Sequence, residues 1–327
     1  MGQDRSGRVR RFALKLAISL ASTLAVVEVA LRVWDATHER TPGLVAVRKY
    51  GGEPIYSPHP YLGYVLNPAH ERNEVNTLGL RGPAIEPGRQ PGVVRVLCLG
   101  GSTTYGAGLR AEQAYPTRLE QHLNAAAPDG LRFEVLNGGV PGYTSIDSLV
   151  NLELRLLALE PDVVLVYHGV NDARLVQARG YRSDYSHIRA PWRDPRDQVS
   201  PIDRWLVLRW RTWAWLTELT GRGFSAMSLE NLVFVEDFTD RLLPPEPEVH
   251  RAGVEDFVRN LRNIVAVSRA AGAEAGLMTF ATRRAEEDTE VALQPCINAM
   301  NAGILALAAE QDVPLFDVRA AIGGQWE

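Results

Sequence analysis

The amino-acid sequence predicts a doubly wound α/β domain, in which helices cover both faces of a parallel sheet to form a three-layer α/β/α sandwich. From residue 93 onward, short runs of Val and Leu alternate with longer stretches whose leucines recur at helical spacing. The run "DVVLVY" at 162–167 is apolar after its first residue, which is typical of a strand buried on both faces. This alternation favours parallel strands connected by helices.

The expected elements follow in chain order. Strands are predicted at Val93–Leu99, Phe133–Leu136, Asp162–Tyr167, Ala275–Thr279 and Val313–Phe316. Helices are predicted at Ala114–Ala126, Ser145–Leu159, Val254–Ala271 and Asn298–Glu310. Ligands of such sheets bind beyond the carboxyl ends of the strands, so the residues that follow each strand are the first candidates for a functional site.

A basic and then apolar segment precedes this domain. Residues 1–11 contain four arginines, and the segment Phe12–Trp34 is long enough to cross a bilayer as a helix. The positive-inside rule places the basic tail in the cytoplasm and the remaining chain outside. Lys15, Glu28 and Arg32 interrupt the apolar character, but Lys15 is near one end and can snorkel to the interface, and Glu28 and Arg32 are four residues apart and can pair on one helix face. A cleaved signal peptide and a buried core helix are the alternatives, and the first of these also exports the domain.

The rest of the chain divides into an arm and a domain. Residues 35–90 are rich in Pro, Gly and polar residues and predict an extended arm without regular periodicity. Its apolar side chains are expected to lie on the domain surface, namely Tyr61, Leu62, Tyr64 and Leu66. Residues 91–327 form the domain, with an insertion at about 175–250.

Composition excludes several classes of function. The formal net charge of -4 gives no reason to expect a nucleic-acid partner. Cys98 and Cys296 are the two cysteines of the 327 residues, too few for a disulfide scaffold and not in a metal-ligand spacing. We therefore expect neither a metal nor another cofactor, and the sequence does not determine an oligomeric state.

Three predicted strand ends carry residues suited to acyl transfer. The first strand is followed by "GGSTTYG" with Ser102, the second by "NGGVPGYTS" with Gly142, and the third by "HGVND" with Asn171. If they converge, they supply a hydroxyl nucleophile together with backbone and side-chain amides for a developing oxyanion. Taken singly, Ser102 would be a helix N-cap, Gly142 a turn residue and Asn171 a helix start.

These three motifs, in this order, resemble the blocks of the SGNH (GDSL-like) hydrolases, and the resemblance covers roughly residues 93–317. It implies a flavodoxin-like fold, with Ser102 as the nucleophile and with Gly142 and Asn171 as oxyanion donors. A phosphate loop is disfavoured because the Gly-Lys-Ser/Thr ending is absent. The nucleophile elbow of α/β-hydrolases is disfavoured because Thr104 replaces its second glycine.

The resemblance extends to a membrane-anchored bacterial branch, on the arm "PHPYLGYVLNP" behind an anchor. It implies a serine esterase at the plasma membrane, with its domain periplasmic or extracellular and a small-molecule or glycan ester as substrate. Secretion after signal cleavage is the alternative location. An O-acyltransferase acting on an envelope polysaccharide and a non-catalytic binding module are the alternative functions.

The general base is the missing part of this prediction. The family supplies it from a late Asp-x-x-His block, but no histidine follows Asp317 in this sequence. We expect either that the base lies in a continuation of the chain or that the site is degenerate. Literal Asp-x-x-His strings occur at Asp35–His38 and Asp184–His187, and His168 lies beside the third block. We expect the first two to be chance surface strings, with Asp184–His187 as a weak alternative base because it lies on the site side of the sheet, and we expect His168 to bond to backbone.

The insertion is unusually rich in tryptophan. Trp192, Trp205, Trp210, Trp213 and Trp215 are five of the seven tryptophans, and the stretch "DRWLVLRWRTWAWLTELTG" is predicted to form one helix with interleaved arginines. Such a mixture suits a bilayer interface. A lid over an apolar acyl pocket and simple packing onto the domain remain open alternatives.

Overall fold

The computed structural model describes residues 3–38, 56–69, 74–86, 88, 90–178, 180–188, 201–207, 209–220, 247–282 and 288–322. The chain divides into two compact units. The first comprises Met1–Pro54 and Arg193–Leu232, and the second comprises Ile55–Trp192 and Val233–Glu327. The expected arm is therefore divided between the units, and part of the insertion belongs with the N-terminal segment rather than with the α/β domain.

The second unit is built on a five-stranded parallel sheet. Its strands are β3 (Val93–Gly100), β4 (Arg132–Asn137), β5 (Val163–Tyr167), β6 (Glu274–Met278) and β7 (Leu315–Phe316). Their spatial order is β4-β3-β5-β6-β7. This is the flavodoxin-like order, in which the strand sequence reverses between β3 and β5. The predicted doubly wound α/β class is confirmed.

Helices cover both faces of this sheet. They are α2 (Ser102–Tyr105), α3 (Tyr115–Ala125), α4 (Ser145–Asn151), α5 (Val170–Val176), α8 (Pro247–Ala270), α9 (Asp288–Gln311) and α10 (Val318–Ile322). Leu97 and Leu99 of β3 are fully buried in the core shared with α8 and α9, whereas Cys98 lies in the core that α3 covers. Because successive side chains of β3 are buried on opposite faces, the sheet is covered on both sides.

Two helix starts lie earlier than the sequence predicts. Helix α8 begins at Pro247 rather than Val254, since a proline is favourable in the first turn of a helix. Helix α9 begins at Asp288 rather than Asn298 and contains Pro295. Pro295 is exposed, so water can satisfy the carbonyl that a proline leaves unpaired. The predicted helix Ser145–Leu159 starts as α4 and continues through a π turn at Leu152–Leu156 and a 3₁₀ turn at Leu157–Leu159.

Part of the arm forms a β-hairpin, contrary to the expectation of an irregular segment. Strand β1 (Tyr56–His59) pairs antiparallel with β2 (Gly63–Leu66). Leu62, Tyr64 and Leu66 are buried as expected, but Tyr61 lies at the hairpin turn and is 74% exposed. The pleat of β2 directs Tyr64 and Leu66 inward, because alternate residues of a strand lie on the same face.

The first unit is helical in its described residues. Helix α1 (Gln3–His38) contains one stretch, Gly7–Trp34, that is long and apolar enough to cross a membrane by length and composition. The predicted segment Phe12–Trp34 lies within it. The expected pairing is present, with Arg32 Nε 2.8 Å from Glu28 Oε1.

The tryptophan-rich stretch forms two helices rather than the one predicted. They are α6 (Pro201–Val207) and α7 (Arg211–Leu219). Trp205 and Trp210 are about half exposed, and Trp213 and Trp215 are half-buried. Trp192 lies outside the described residues.

Candidate active site

The loops that follow β3, β4 and β5 meet at one edge of the sheet. The Gly138 and Val140 amides donate to the carbonyls of Cys98 and Gly100, with N···O distances of 2.9 and 3.1 Å. The loop after β4 thus lies against the end of β3. A Cβ at position 139 would be 2.3 Å from the Tyr105 nitrogen, so only glycine permits this approach. The meeting point is the switch point of the strand order, where ligands bind in such sheets.

Ser102 opens the short helix α2 immediately after β3. Gly101 is the N-cap and supplies no side-chain cap, so the interpretation of Ser102 as the N-cap is wrong. The Ser102 side chain is half-buried, which leaves it accessible from solvent. Within the described part of the chain its hydroxyl has no hydrogen-bond partner.

Gly142 lies in a tight turn after β4. Its φ of +84° is in the left-handed region, which favours glycine. The turn is closed by the Tyr143 amide, which donates to the Val140 carbonyl at 3.0 Å. Among the described residues, no backbone carbonyl accepts from the Gly142 amide or the Ser102 amide, so both donors remain available.

Asn171 lies in the first turn of α5, after β5, and is 8% exposed. Its Nδ2 donates to the Tyr143 carbonyl at 2.9 Å. A Cβ on Gly101 would be 2.7 Å from the same Nδ2. The amide therefore lies between the residue before Ser102 and the residue after Gly142. The structure brings all three predicted site residues to one place.

His168 and Asp172 lie behind this site in a buried polar network. We expected His168 to bond to backbone, but in the described contacts its Nε2 is 2.8 Å from Ser148 Oγ and its Nδ1 is 3.8 Å from Asp172 Oδ2. Asp172 accepts from the Ser145 amide at 3.0 Å and from its hydroxyl at 2.6 Å.

Burial shifts both of these residues toward their neutral forms. It lowers the pKa of His168 to about 3. It also raises the pKa of Asp172 to about 7, against the lowering effect of the bonds from Ser145. A neutral imidazole held by Ser148 supports the packing of the loops, and its hydrogen bond is not directed at Ser102.

The two literal Asp-x-x-His strings do not supply a base in the described contacts. His187 Nδ1 accepts from the Arg182 amide, and its Nε2 is 3.2 Å from the Leu175 carbonyl. Asp184 accepts from the Ser186 amide. The side chains of Asp35 and His38 lie outside the described residues.

Asp317 does not act as the acid partner of a histidine in the described contacts. It accepts from Thr279 Oγ1 at 2.7 Å and from the Ala320 amide at 3.1 Å. These bonds lower the pKa of its carboxyl, that from Thr279 being the largest cause, and they fix the start of α10.

Two arm residues that the sequence did not indicate hold the loop after Ser102. Arg81 is 6% exposed and donates to the carbonyls of Tyr105, Gly106 and Leu109 at 2.6, 2.7 and 2.5 Å. Glu74 Oε2 accepts from Arg81 at 3.3 Å and from the Ala111 amide at 2.5 Å. The partners of Arg81 are carbonyls distant in sequence, so no local pattern marks it.

The protein is of the α/β class, and the loops that follow its strands place Ser102 beside backbone amides that have no backbone acceptor among the described residues. Residues 98–327 match the model of the GDSL-like lipase/acylhydrolase family. The chain therefore belongs to this family of hydrolases that act on ester bonds. The predicted SGNH-type relationship is confirmed.

Solved structures similar to this chain include two from bacteria. A catalytic mutant of an acetylxylan esterase from Geobacillus stearothermophilus is 16% identical, with a TM-score of 0.40 over 71% of this chain and 79% of that chain. The lipase/acylhydrolase from Enterococcus faecalis is also 16% identical, with a TM-score of 0.39 over 71% of this chain and 79% of that chain. Among curated proteins, none matches this chain significantly.

Proposed function

We propose that this chain is a serine esterase that cleaves carboxylic esters through an acyl-Ser102 intermediate. The Ser102 oxygen attacks the ester carbonyl carbon and its proton passes to a base. The tetrahedral oxyanion accepts hydrogen bonds from the Ser102 and Gly142 amides and from Asn171 Nδ2. Its collapse breaks the bond to the alcohol, which leaves with a proton, and water then releases the acid from Ser102.

The position of Asn171 carries this proposal. One hydrogen of its Nδ2 is used by the Tyr143 carbonyl, which fixes the amide beside Gly101. The second hydrogen remains for an oxyanion. Donors that are fixed before the reaction need no reorganisation as charge develops, which is the usual origin of oxyanion-hole catalysis.

The free Ser102 hydroxyl also favours a second candidate, a module that binds an ester ligand without cleaving it. In the described part of the chain, no histidine contacts that hydroxyl, and a serine without a base is a weak nucleophile at neutral pH. The same amides would then bind the carbonyl of the ligand. The two candidates differ in whether an acyl group becomes bonded to Ser102.

The proposed location is the bacterial plasma membrane, with α1 as an uncleaved anchor and the esterase domain on the periplasmic or extracellular side. The described side chains along Gly7–Trp34 are mostly exposed, as expected for a lipid-facing helix. A cleaved signal sequence passes the same test of length and composition. Mass spectrometry of the protein isolated from membranes distinguishes an uncleaved anchor from a cleaved signal sequence, because cleavage would remove residues before the domain.

The test of the reaction is direct detection of the acyl-enzyme. The full chain in detergent is mixed with p-nitrophenyl butyrate, quenched in acid after one turnover, digested and analysed by mass spectrometry. We expect one butyryl group on Ser102, none on Ser102→Ala, and an unchanged amount on the Thr103→Ala control, whose exposed neighbouring hydroxyl has no assigned role. Ester binding without an adduct would replace the esterase proposal with the binding module.

A further inference from the structure

Glu28 is an exception within the apolar helix α1. It is 6% exposed, and it is the one buried side chain among those described in this helix. A carboxylate within hydrocarbon is costly unless protein groups satisfy it. Glu28 lies 16 residues after Phe12, or about 24 Å along the helix axis. This distance approaches the thickness of about 30 Å of a bilayer's hydrocarbon core.

The groups that satisfy Glu28 come from the tryptophan segment, defined as residues 201–207 and 209–220. Glu28 Oε1 accepts from the Arg211 amide at 2.8 Å, and Oε2 accepts from the Thr212 amide at 2.9 Å. The Thr212 hydroxyl adds a bond of 3.1 Å to Oε2. The carboxylate thus caps the N-terminus of α7, where amides and the helix dipole favour an anion.

Arg32 completes the connection between α1 and the tryptophan segment. Its Nε donates to Glu28 Oε1 at 2.8 Å, and its Nη2 donates to the Arg209 carbonyl at 2.8 Å. Glu28 and Arg32 together form the clasp, in which protein donors replace water around the buried Glu28 carboxylate, while the Arg32 side chain stays 56% exposed. Two of the three charged residues in Phe12–Trp34, Glu28 and Arg32, therefore hold the segment to the helix.

The tryptophan segment carries an exposed apolar surface next to the clasp. Its exposed large side chains are Ile202, Trp205, Trp210, Leu216 and Leu219, with exposures from 46% to 78%. The Arg209 guanidinium lies 4.5 Å above the Trp205 ring centroid. Exposed Trp beside Arg is typical of the boundary between lipid headgroups and acyl chains. A soluble surface seldom leaves so many large apolar groups open together.

We propose that the tryptophan segment is a membrane-interface platform, held by the clasp at the end of α1 that leaves the bilayer on the side opposite the basic tail. Its partner is the headgroup–acyl boundary of a phospholipid bilayer. This inference rests on the membrane anchor of the proposed function and does not depend on esterase activity. Residues 193–232 belong to the first unit together with α1, and the platform gives that unit a membrane attachment in addition to the anchor.

Nitroxide accessibility tests the platform in the full-length chain, reconstituted in vesicles of phosphatidylcholine and phosphatidylglycerol. Labels are attached at Trp205→Cys and Leu216→Cys. Ile18→Cys serves as the reference for a label in lipid, and Gln121→Cys as the reference for water. Cys98 and Cys296 are buried, so labelling is directed to the introduced cysteines. Collisions with oxygen report lipid, and collisions with a water-soluble nickel chelate report water.

We expect the labels at 205 and 216 to fall between the two references, with more oxygen collisions and fewer nickel collisions than Gln121→Cys but less complete protection from nickel than Ile18→Cys, as a headgroup–acyl position requires. If they match Gln121→Cys while position 18 remains in lipid, the platform is overturned and the anchor stands. If position 18 is itself accessible to nickel, the anchor fails and the platform fails with it. Absence of ester hydrolysis changes none of these readouts, so failure of the esterase proposal remains distinguishable.

Variants of the clasp test its part in the proposal. In Glu28→Leu, the labels at 205 and 216 should lose their protection from nickel while position 18 keeps it. Thr212→Val removes one bond to Glu28 and leaves both backbone donors, so it should cause a smaller loss and is the variant least prone to misfolding. Unchanged protection in both variants would show that the clasp does not hold the segment at the bilayer.

Discussion

Tyr64 and Tyr143 are joined by a hydrogen bond and a ring contact beside Gly142. The Tyr64 hydroxyl donates to the Pro141 carbonyl at 2.7 Å, and the Tyr143 hydroxyl donates to the Tyr64 carbonyl at 2.6 Å. Their rings pack edge to face with centroids 5.2 Å apart. Since Pro141 and Tyr143 flank Gly142, the hairpin of the arm fixes the loop that presents the proposed oxyanion donor.

Tyr64→Phe should lower kcat with little change in KM. The substitution removes the bond to Pro141 and leaves the ring packing, so the loop loses one restraint. A neutral hydrogen bond is worth about 1 kcal/mol of stability. The loss in kcat should stay below the roughly 10²–10³-fold effect of removing a donor outright. Steady-state kinetics measure kcat and KM separately, with Tyr61→Phe on the exposed turn as the control. A raised KM at constant kcat would contradict this positioning role.

Asn171→Ala should lower kcat by about 10²–10³-fold, because it removes a donor that acts on the developing oxyanion. Binding of the ground-state ester should weaken far less. Steady-state kinetics with a short-chain aryl ester measure kcat and KM. Asn298→Ala, at an exposed asparagine of α9, is the control. An unchanged kcat would remove Asn171 from the mechanism.

Gly101→Ala should impair the site through Asn171. The added Cβ would lie 2.7 Å from Asn171 Nδ2 and 3.2 Å from the Tyr143 carbonyl, so the amide must move. A double-mutant cycle with Asn171→Ala isolates this effect, because residues in contact couple. We expect the two losses in kcat to be strongly non-additive, with Gly101→Ala nearly silent once Asn171 is absent. Additive losses would show that Gly101 acts on another group.

Arg81→Lys should destabilise the loop that follows Ser102. A lysine cannot donate to three carbonyls in the fixed geometry of a guanidinium, and a hydrogen bond from a charged group contributes about 1.5–3 kcal/mol. We expect the free energy of unfolding to fall by about 2 kcal/mol and hydrogen exchange at residues 105–109 to accelerate. Arg110→Lys is the control, since that side chain is 76% exposed. Unaltered exchange in Arg81→Lys would show that the loop is held by other contacts.

The sequence predicts most of the fold and the placement of the proposed site, because both depend on local patterns. Apolar runs define strands, and parallel strands bring their following loops to one edge, so Ser102, Gly142 and Asn171 could be placed together. The roles of Tyr64 and Arg81 in holding the loops of the site could not be found in this way. Tyr64 bonds to a carbonyl 77 residues away along the chain, and Arg81 bonds to carbonyls 24 to 28 residues away. The residues next to them in sequence carry no pattern that predicts these contacts. The pairing of Glu28 with Arg32 was predicted, but the same limit applies to its partners Arg211 and Thr212.

His168 and Asp172 should give opposite contributions to the pH dependence of stability. The folded protein keeps Asp172 protonated up to a pKa of about 7, whereas its ordinary pKa is 3.8. Between these values the folded state binds more protons than the unfolded state, so this contribution falls as pH rises. For His168 the folded pKa is about 3 against 6.5. The unfolded state then binds more protons, and this contribution rises with pH.

Asp172→Asn separates the two contributions, because an amide keeps an acceptor for Ser145 and does not ionise. Relative to the native protein, the variant should gain stability between pH 4 and pH 7. Since one pKa unit is worth about 1.4 kcal/mol, the gain should be on the order of 2–4 kcal/mol. Urea unfolding followed by circular dichroism at several pH values measures it, with Asp129→Asn, at an exposed carboxylate, as the control. Parallel pH profiles for Asp172→Asn and the native protein would mean that Asp172 is ionised throughout this range. Ser145, and the Tyr185 hydroxyl 3.4 Å from Asp172 Oδ1, would then stabilise its charge.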